Sequence, residues 1–401
     1  MSLDLARLRA DTPGCEGVAH LNNAGASLSP RPVLEAVIGH LKLESELGGY
    51  EAAAAAADRL QGAREAVGRL LGADPADVAL TQSDTAAWTK AFWGLALNGW
   101  FSGGGRVLTD RAAYNSHYLS LLQAADRYGL RIETIDSAED GSLDLDDLDH
   151  RLGDDVRMVT ATHVGTHRGL VNPVAAVGTR TRAAGVPFFL DACQSAGQLP
   201  VEVGDIGCDV ATGTGRKFLR GPRGTGWLYV KEEWSERMSP PGIDGTSAIW
   251  LDEKRLELLP RADRFEEFET SLAARIGLGV AVEYALSLGI AAIADRIAQL
   301  AEGLREQLRA VGAVVHDGGT QRCAIVTFTV PGHEPAAVKE SLAAARINVS
   351  VAEARGARLD MEQRGLPSAV RASPHAYNSE GETLRLVDRV GLLLGAGSLD
   401  P

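Results

Sequence analysis

The feature that most constrains the fold is an alternation of short β-type runs with helical stretches, which begins at Val78 and continues to Val230. DVALT, RVLT, RIETID, RMVTATH, VPFFLDA, CDVATGT and GTGWLYV read as strands. Helices are predicted between them over TAAWTKAFWGLAL, near Tyr118–Tyr128, in the Leu-patterned segment before RMVTATH, and over Val174–Ala184. Strands separated in this way predict a largely parallel sheet covered on both faces, with ligands at the carboxyl ends of its strands.

Two earlier helices are expected over Pro32–Leu47 and Ala57–Leu71, the second stopped by Gly72-Ala73-Asp74-Pro75. Glu232–Arg264 reads as an irregular surface excursion. Helical spacing resumes over Ser271–Leu288 and Ile290–Val311. AIVTFTV, a helix over Pro335–Ala345, INVSV, AVRAS and a helix over Glu380–Leu394 then predict a smaller α+β unit. The expected division is an N-terminal arm (residues 1–20), a large α/β domain (21–265) and a small α+β domain (266–401). No Pro/Gly/Ser linker separates the last two, so they should share contacts.

With 401 residues, 45% of them hydrophobic and 23% charged, disordered and fibrous readings are excluded. A net charge of −13 disfavours nucleic acid and anionic membrane surfaces as partners and favours a small molecule. Cys15, Cys193, Cys208 and Cys323 form no C-x-x-C pair, so neither a zinc site nor a disulfide framework is indicated and no metal is expected. Reduced thiols and an opening stretch, MSLDLARLRADTPG, without an apolar core give the expectation of a cytoplasmic protein.

Two positions stand out chemically. Asp191 ends the apolar run PFFLD, where a buried carboxylate needs a partner. Lys217 follows the small residues of ATGTG and precedes a Gly-Pro-Arg-Gly turn. Ser83-Asp84-Thr85 at a helix start offers either an anion site or an ordinary cap. Arg371 in SAVRASPHAYN can grip a carboxylate with two parallel bonds or sit in a structural ion pair.

Taken in order, these segments resemble the class V aminotransferase branch of the fold type I enzymes that depend on pyridoxal 5′-phosphate (PLP). The resemblance covers nearly the whole chain and implies a mostly parallel large domain with a smaller α+β C-terminal domain. It implies that Lys217 carries PLP covalently and then moves protons. Asp191 would keep the pyridine nitrogen protonated, and Gln194 in the D-x-x-Q pattern would contact the phenolic oxygen. Asp84 (through its backbone), Thr85 and Thr214 would hold the phosphate, with the Asp84 carboxylate directed away from it. Arg371, within V-R-x-S-x-x-x-Y-N, would bind the substrate α-carboxylate. Asn23 and Thr166 fall where the family places residues near substrate and cofactor. Thr270 lies where a neighbouring subunit contributes a phosphate contact, implying a homodimer with shared sites, or it caps the next helix.

The ring-stacking position falls in DRAAYNSHYL, at Asn115, with Tyr114 and His117 as alternatives. No cysteine occurs between Val351 and Val370, where relatives that desulfurate cysteine carry one, and Arg216 replaces the usual histidine before the lysine. In the Arg216 substitution, and in TGTGRKFLRGPRGTGWLYV and RFEEFETSLAARIGLGVAVEYAL, the chain looks most like the hercynylcysteine sulfoxide lyases and isopenicillin-epimerase-like proteins of actinobacteria, including enzymes of lincosamide pathways. The implied activity is β-elimination on a cysteine S-conjugate in secondary metabolism. Decarboxylation coupled to oxidative deamination, transamination and epimerisation are the alternatives. A phosphate-loop hydrolase is excluded because Phe218 stands where G-x-x-x-x-G-K-[ST] needs a hydroxyl.

Overall fold

The computed structural model describes residues 3–395. The alternating region forms strands β1 (Val78–Thr81), β2 (Gly105–Thr109), β3 (Leu130–Thr134), β4 (Val156–Thr162), β5 (Phe188–Asp191), β6 (Val210–Thr214) and β7 (Gly226–Val230). They make one seven-stranded sheet in the order β1-β7-β6-β5-β4-β2-β3. Only β7 runs against its neighbours, pairing antiparallel with both β1 and β6. Both faces of the sheet are covered: every residue of the inner strands β5, β6 and β7, and of the edge strand β1, is buried.

Helices α1 (Arg31–Leu47), α2 (Ala57–Leu71), α3 (Asp84–Leu97), α4 (Asn115–Tyr128) and α5 (Val174–Ala184) precede or connect these strands. Their ends follow local chemistry. Gly72 terminates α2 in the left-handed region at φ 60°, and the Ser83 hydroxyl caps α3 by accepting from the Ala86 amide at 3.1 Å. One face of the sheet packs on α2 through Val67, Leu70 and Leu71, and the other on α3 through Trp88, Phe92 and Leu95. Each buried Leu or Phe of this kind contributes about 1.5–3 kcal/mol relative to exposure.

Beyond residue 270 come α6 (Leu272–Leu288), α7 (Ile290–Ala310), α8 (Pro335–Ala344) and α9 (Glu380–Leu393). With them stands a second sheet of β8 (Val314–Val315), β9 (Val326–Thr329), β10 (Ser350–Glu353) and β11 (Ser368–Ala372), in the order β8-β9-β11-β10. The short strand Ala19–His20 pairs in parallel with Ile347–Asn348, tying the start of the chain to this later unit. No single described helix is long and apolar enough to cross a membrane; α6 and α7 reach that composition only together, and they meet at 79°.

One sequence expectation changes. The segment Glu232–Arg264 contains an antiparallel hairpin, Ala248–Asp252 with Arg255–Leu258, rather than irregular chain. Its strands are hard to read because Ile249, Trp250, Leu251 and Leu256 are all exposed, so no alternation of buried and exposed residues marks the period.

A buried ion pair joins the two sheets near the loop that follows β4. Arg305 of α7 is fully buried and donates to Asp317 Oδ2 at 2.7 Å, and to the carbonyls of Cys323 and Ile325 at 2.7 and 2.8 Å. The other Asp317 oxygen accepts from the amides of Gly169 at 3.2 Å and Thr327 at 3.1 Å. Asp317→Ala leaves Arg305 buried without a counter-charge and is expected to cost about 3–5 kcal/mol of stability, measured by urea unfolding. An unchanged midpoint would mean that the pair contributes nothing net.

Candidate active site

The chemically distinctive side chains all leave the sheet at strand carboxyl ends. Asp191 is the last residue of β5, Asp84 and Thr85 follow β1, Tyr114 and Asn115 follow β2, Thr166 follows β4, and Lys217 follows β6. The parallel topology brings together loops that lie far apart in sequence.

At the centre is a buried charge cluster. Asp191 Oδ1 accepts from the Cys193 amide at 2.8 Å, while its Oδ2 lies 3.6 Å from His117 Nδ1. The other His117 nitrogen, Nε2, is 3.0 Å from Asp84 Oδ2, and the ring stacks on Trp88 with centroids 4.1 Å apart. Burial alone would lower the His117 pKa, but the two carboxylates outweigh it and raise the value. Asp84 is lowered despite its burial, chiefly by His117. Asp191 is raised, by burial first and then by the negative charge on Asp84. The Asp84 carboxylate thus points inward to the imidazole, and His117 is committed between two acids. Sequence reasoning missed this cluster, because three residues from three separate loops share no spacing.

Lys217 Nζ lies 3.2 Å from Cys193 Sγ and 5.8 Å from the centre of the Tyr114 ring. Tyr114, with Thr162, Thr166, Asp191, Gln194 and Lys217, lines a narrow slot beside the cluster. Asn115, the expected stacking residue, instead starts α4 and directs its amide to the Arg355 carbonyl at 3.3 Å. The difference is a register slip of one residue at the helix start. Burial pushes the Cys193 thiol far above its ordinary value, so it is an un-ionised neighbour rather than a nucleophile.

Thr166 is a junction. Its hydroxyl oxygen accepts from Gln194 Nε2 at 3.1 Å and from Arg371 Nη1 at 3.2 Å, and its carbonyl accepts from the same Nη1 at 2.9 Å. Both lone pairs of the hydroxyl are occupied, which leaves its proton to donate outward. Gln194 Oε1 and Arg371 Nε are buried without a partner. Arg371 has no carboxylate among the described residues; burial lowers its pKa to about 10, and Arg216 nearby adds to the effect. Asn23 does not reach this site: its amide donates to the carbonyls of His20 and Ser373, and its oxygen accepts from the Tyr377 hydroxyl at 2.5 Å. The neighbouring Asn22 faces Arg371 instead, 3.4 Å from Nη2.

The first-turn amides of α3 lack helical acceptors and form the anion-attracting end of that helix. Gly226 makes the loop possible, since a Cβ there would stand 2.5 Å from the Ser83 carbonyl carbon and 2.9 Å from the Asp84 nitrogen. Thr85 is exposed and hydrogen-bonds Ser116 at 3.2 Å, and the Thr214 hydroxyl donates to the Thr225 carbonyl at 3.1 Å. Thr270 lines neither the slot nor the larger cavity outside it. Its hydroxyl is buried without a partner, and the cap of α6 is the adjacent Ser271.

The larger cavity, about 800 Å³, opens from the slot and is lined by Tyr114, Thr166, His167, Arg216, Lys217 and Arg371, with residues of α8 and β10 on its far side. Residues 19–386 match the aminotransferase class-V family. The chain belongs to that family. It is 33% identical over 380 residues to a probable hercynylcysteine sulfoxide lyase of Mycobacterium tuberculosis, covering 93% of this chain and 89% of that one. A probable cysteine desulfurase of Pyrococcus abyssi is 27% identical over 380 residues, with 93% of each chain covered. Among solved structures, a cysteine desulfurase from Thermococcus onnurineus superposes with a TM-score of 0.91 at 26% identity, over 98% of this chain and 99% of that one.

The chain is accordingly a fold type I, PLP-dependent enzyme. Its residues fit that cofactor on their own chemistry. Among the described residues, the slot offers a lysine whose only hydrogen-bond partner is a thiol, a buried carboxylate at a strand end, an unpaired Gln194 oxygen and a Thr166 proton free to donate. A helix N-terminus stands at the loop after β1.

The Asp84–His117 pair gives a direct test. Asp84→Asn is expected to lower the His117 pKa, because the carboxylate that raises it is removed, as followed by NMR titration of the imidazole. A raised histidine contributes its full stabilisation below about pH 6.5, and a lowered carboxylate does so above about pH 3.9. The pair is therefore fully effective between those values and weakens as pH rises through the folded His117 pKa. An unshifted titration would break the assignment.

Proposed function

We propose that the chain is a C–S lyase that performs β-elimination on an S-conjugate of cysteine, either a thioether or a sulfoxide. One observation carries the reading. Arg371 and Lys217 face one cavity whose border includes Val351, Glu353 and Arg355, and the segment from Val351 to Val370 that supplies this border contains no cysteine. A carboxylate anchor and a proton-moving amine are present, and the thiol that would accept sulfur is not. Cys15, Cys193, Cys208 and Cys323 are all buried. The relative named for a sulfoxide lyase supports the same substrate class.

In this reading Arg371 grips the α-carboxylate through two parallel charge-assisted bonds, helped by Asn22. Lys217 would hold PLP and would move the proton at Cα. PLP, when bound, supplies the electron sink for the charge left at that carbon. Asp191 would keep the pyridine nitrogen protonated, supported by His117 and Asp84, and Tyr114 would be the aromatic partner of the ring. Thr166 and Gln194 would address the phenolic oxygen. The amides of Asp84 and Thr85, with Thr214, would hold the phosphate. The C–S bond breaks as the electron pair returns toward Cβ, and sulfur leaves as a thiolate from a thioether, or as a sulfenate from a sulfoxide, and takes up a proton. Overall, a thioether conjugate and one water give one thiol, one pyruvate and one ammonium; a sulfoxide gives a sulfenic acid in place of the thiol.

Thr270 completes the phosphate site of a second copy in the proposed homodimer. Supporting this are Tyr50, Phe268 and the hairpin residues Ile249, Trp250 and Leu256, which are large apolar groups left exposed; Trp250 is 83% exposed. Four unpaired cysteines support a reducing, cytoplasmic setting.

Purified holoenzyme given S-alkyl cysteines is expected to release thiol and pyruvate in equal amounts without consuming oxygen. Carbon dioxide release with oxygen uptake and an intact C–S bond would replace this reading with the decarboxylating one. Lys217→Ala should lose both the covalent cofactor linkage and turnover. Cofactor still reducible onto the variant protein would move the linkage elsewhere. Arg371→Lys keeps the charge but not the fork, and is expected to raise the KM for α-amino acids about tenfold or more. An unchanged KM would place the carboxylate site off Arg371.

A further inference from the structure

We infer that the substrate carries a second anionic group of carboxylate type on the portion attached to sulfur, and that Arg216 is the specificity-determining residue that receives it. The inference rests on the lyase reading and narrows its substrate class.

The chain as a whole is acidic, with 53 Asp and Glu against 40 Lys and Arg. The cavity outside the slot has the opposite sign. Arg216, Lys217, Lys339, Arg355 and Arg371 line it, against two carboxylates, Glu340 and Glu353. Of these cations only Arg355 is in an ion pair among the described residues, with Glu353. His167, also in the wall, adds no charge near neutrality, because burial and then the positive charge of Arg371 hold its pKa at about 3.

Two of the unpaired cations are accounted for by the proposed chemistry. Lys217 is taken by the cofactor and Arg371 by the α-carboxylate. Arg216 is not. It is half-buried, one Nη donates to the Gly25 carbonyl, and no carboxylate among the described residues pairs with its charge. It stands near enough to Arg371 to depress that residue's pKa. Two guanidinium groups that line one partly desolvated cavity repel each other, and a single carboxylate offsets only one of them. A ligand with two separated negative charges satisfies both. The volume of about 800 Å³ leaves ample room beyond the three-carbon amino-acid end for such a group. Lys339, exposed at the rim on α8, adds attraction for an anion entering from solvent.

The test compares S-(2-carboxyethyl)cysteine with its isosteric amide, S-(2-carbamoylethyl)cysteine, on wild-type holoenzyme. The carboxylate conjugate is expected to have a kcat/KM about tenfold or more above that of the amide, the loss typical of one charge-assisted bond. Arg216→Gln should bring the ratio close to one, whereas Arg371→Lys should lower both conjugates together. Equal kcat/KM for the two conjugates in the wild type, or an undiminished ratio in Arg216→Gln, overturns the inference. The wild-type comparison stands even if the variant does not fold. A parallel calorimetric measurement uses 2-aminopimelate, in which a methylene replaces sulfur, and its distal monoamide. Tighter binding of the diacid is expected, and equal affinity overturns the inference. If none of the conjugates is cleaved, the lyase reading fails, and the calorimetry alone decides whether the second anion site exists.

Discussion

A carboxylate buried at the end of an apolar strand cannot stand alone, and much of this site is arranged around that constraint at Asp191. Water is excluded from it, so its charge must be met by protein groups or by a ligand. The chain supplies an amide from Cys193 on one side and the His117 imidazole on the other. The imidazole in turn needs a charge of its own to remain protonated where burial opposes it, and Asp84 provides one. With Lys217 close by, the two acids face two bases, and the buried cluster is close to neutral as a unit. Removing any single member leaves an uncompensated charge in a region that cannot solvate it.

The sheet makes this arrangement possible at low cost in chain length. Parallel strands end on the same side, so five loops from residues 84 to 217 deliver side chains to one edge. The reversed strand β7 does not disturb the edge, because its glycine start lets the loop after β1 lie against it. The second sheet adds Arg371 from β11, and the Arg305–Asp317 pair ties that sheet to the loop after β4. The cavity is thus walled by both units, with the cofactor side on the large sheet and the far wall on α8 and β10.

Much of this was legible in the sequence where the signal was local. The helices over Ala57–Leu71 and Val174–Ala184 match the expected bounds because Gly72 and Gly185 stop them in left-handed conformations. The seven strands of the large sheet are short β-type runs between helical stretches, and each was recognisable as such. Asp191, Lys217, Gln194, Thr166 and Arg371, each named from its motif, line the slot or the cavity beside it. What could not be read depended on side-chain direction. Whether Tyr114 or Asn115 faces Lys217 turns on where α4 begins, and Asn22 and Asn23 differ only in which way a short loop turns. The exposed hairpin at residues 248–258 carries apolar residues on both of its faces, so periodicity is silent there.

The Thr166 hydroxyl is shared between the slot and the cavity. One oxygen accepts from Gln194, whose other end faces the slot, and from Arg371, which faces the cavity. A carboxylate that draws the guanidinium toward itself competes directly for the bond now made to Thr166. The freed lone pair then changes what Thr166 and Gln194 can offer on the slot side. The slot and the cavity are therefore linked through one shared acceptor, the Thr166 hydroxyl oxygen.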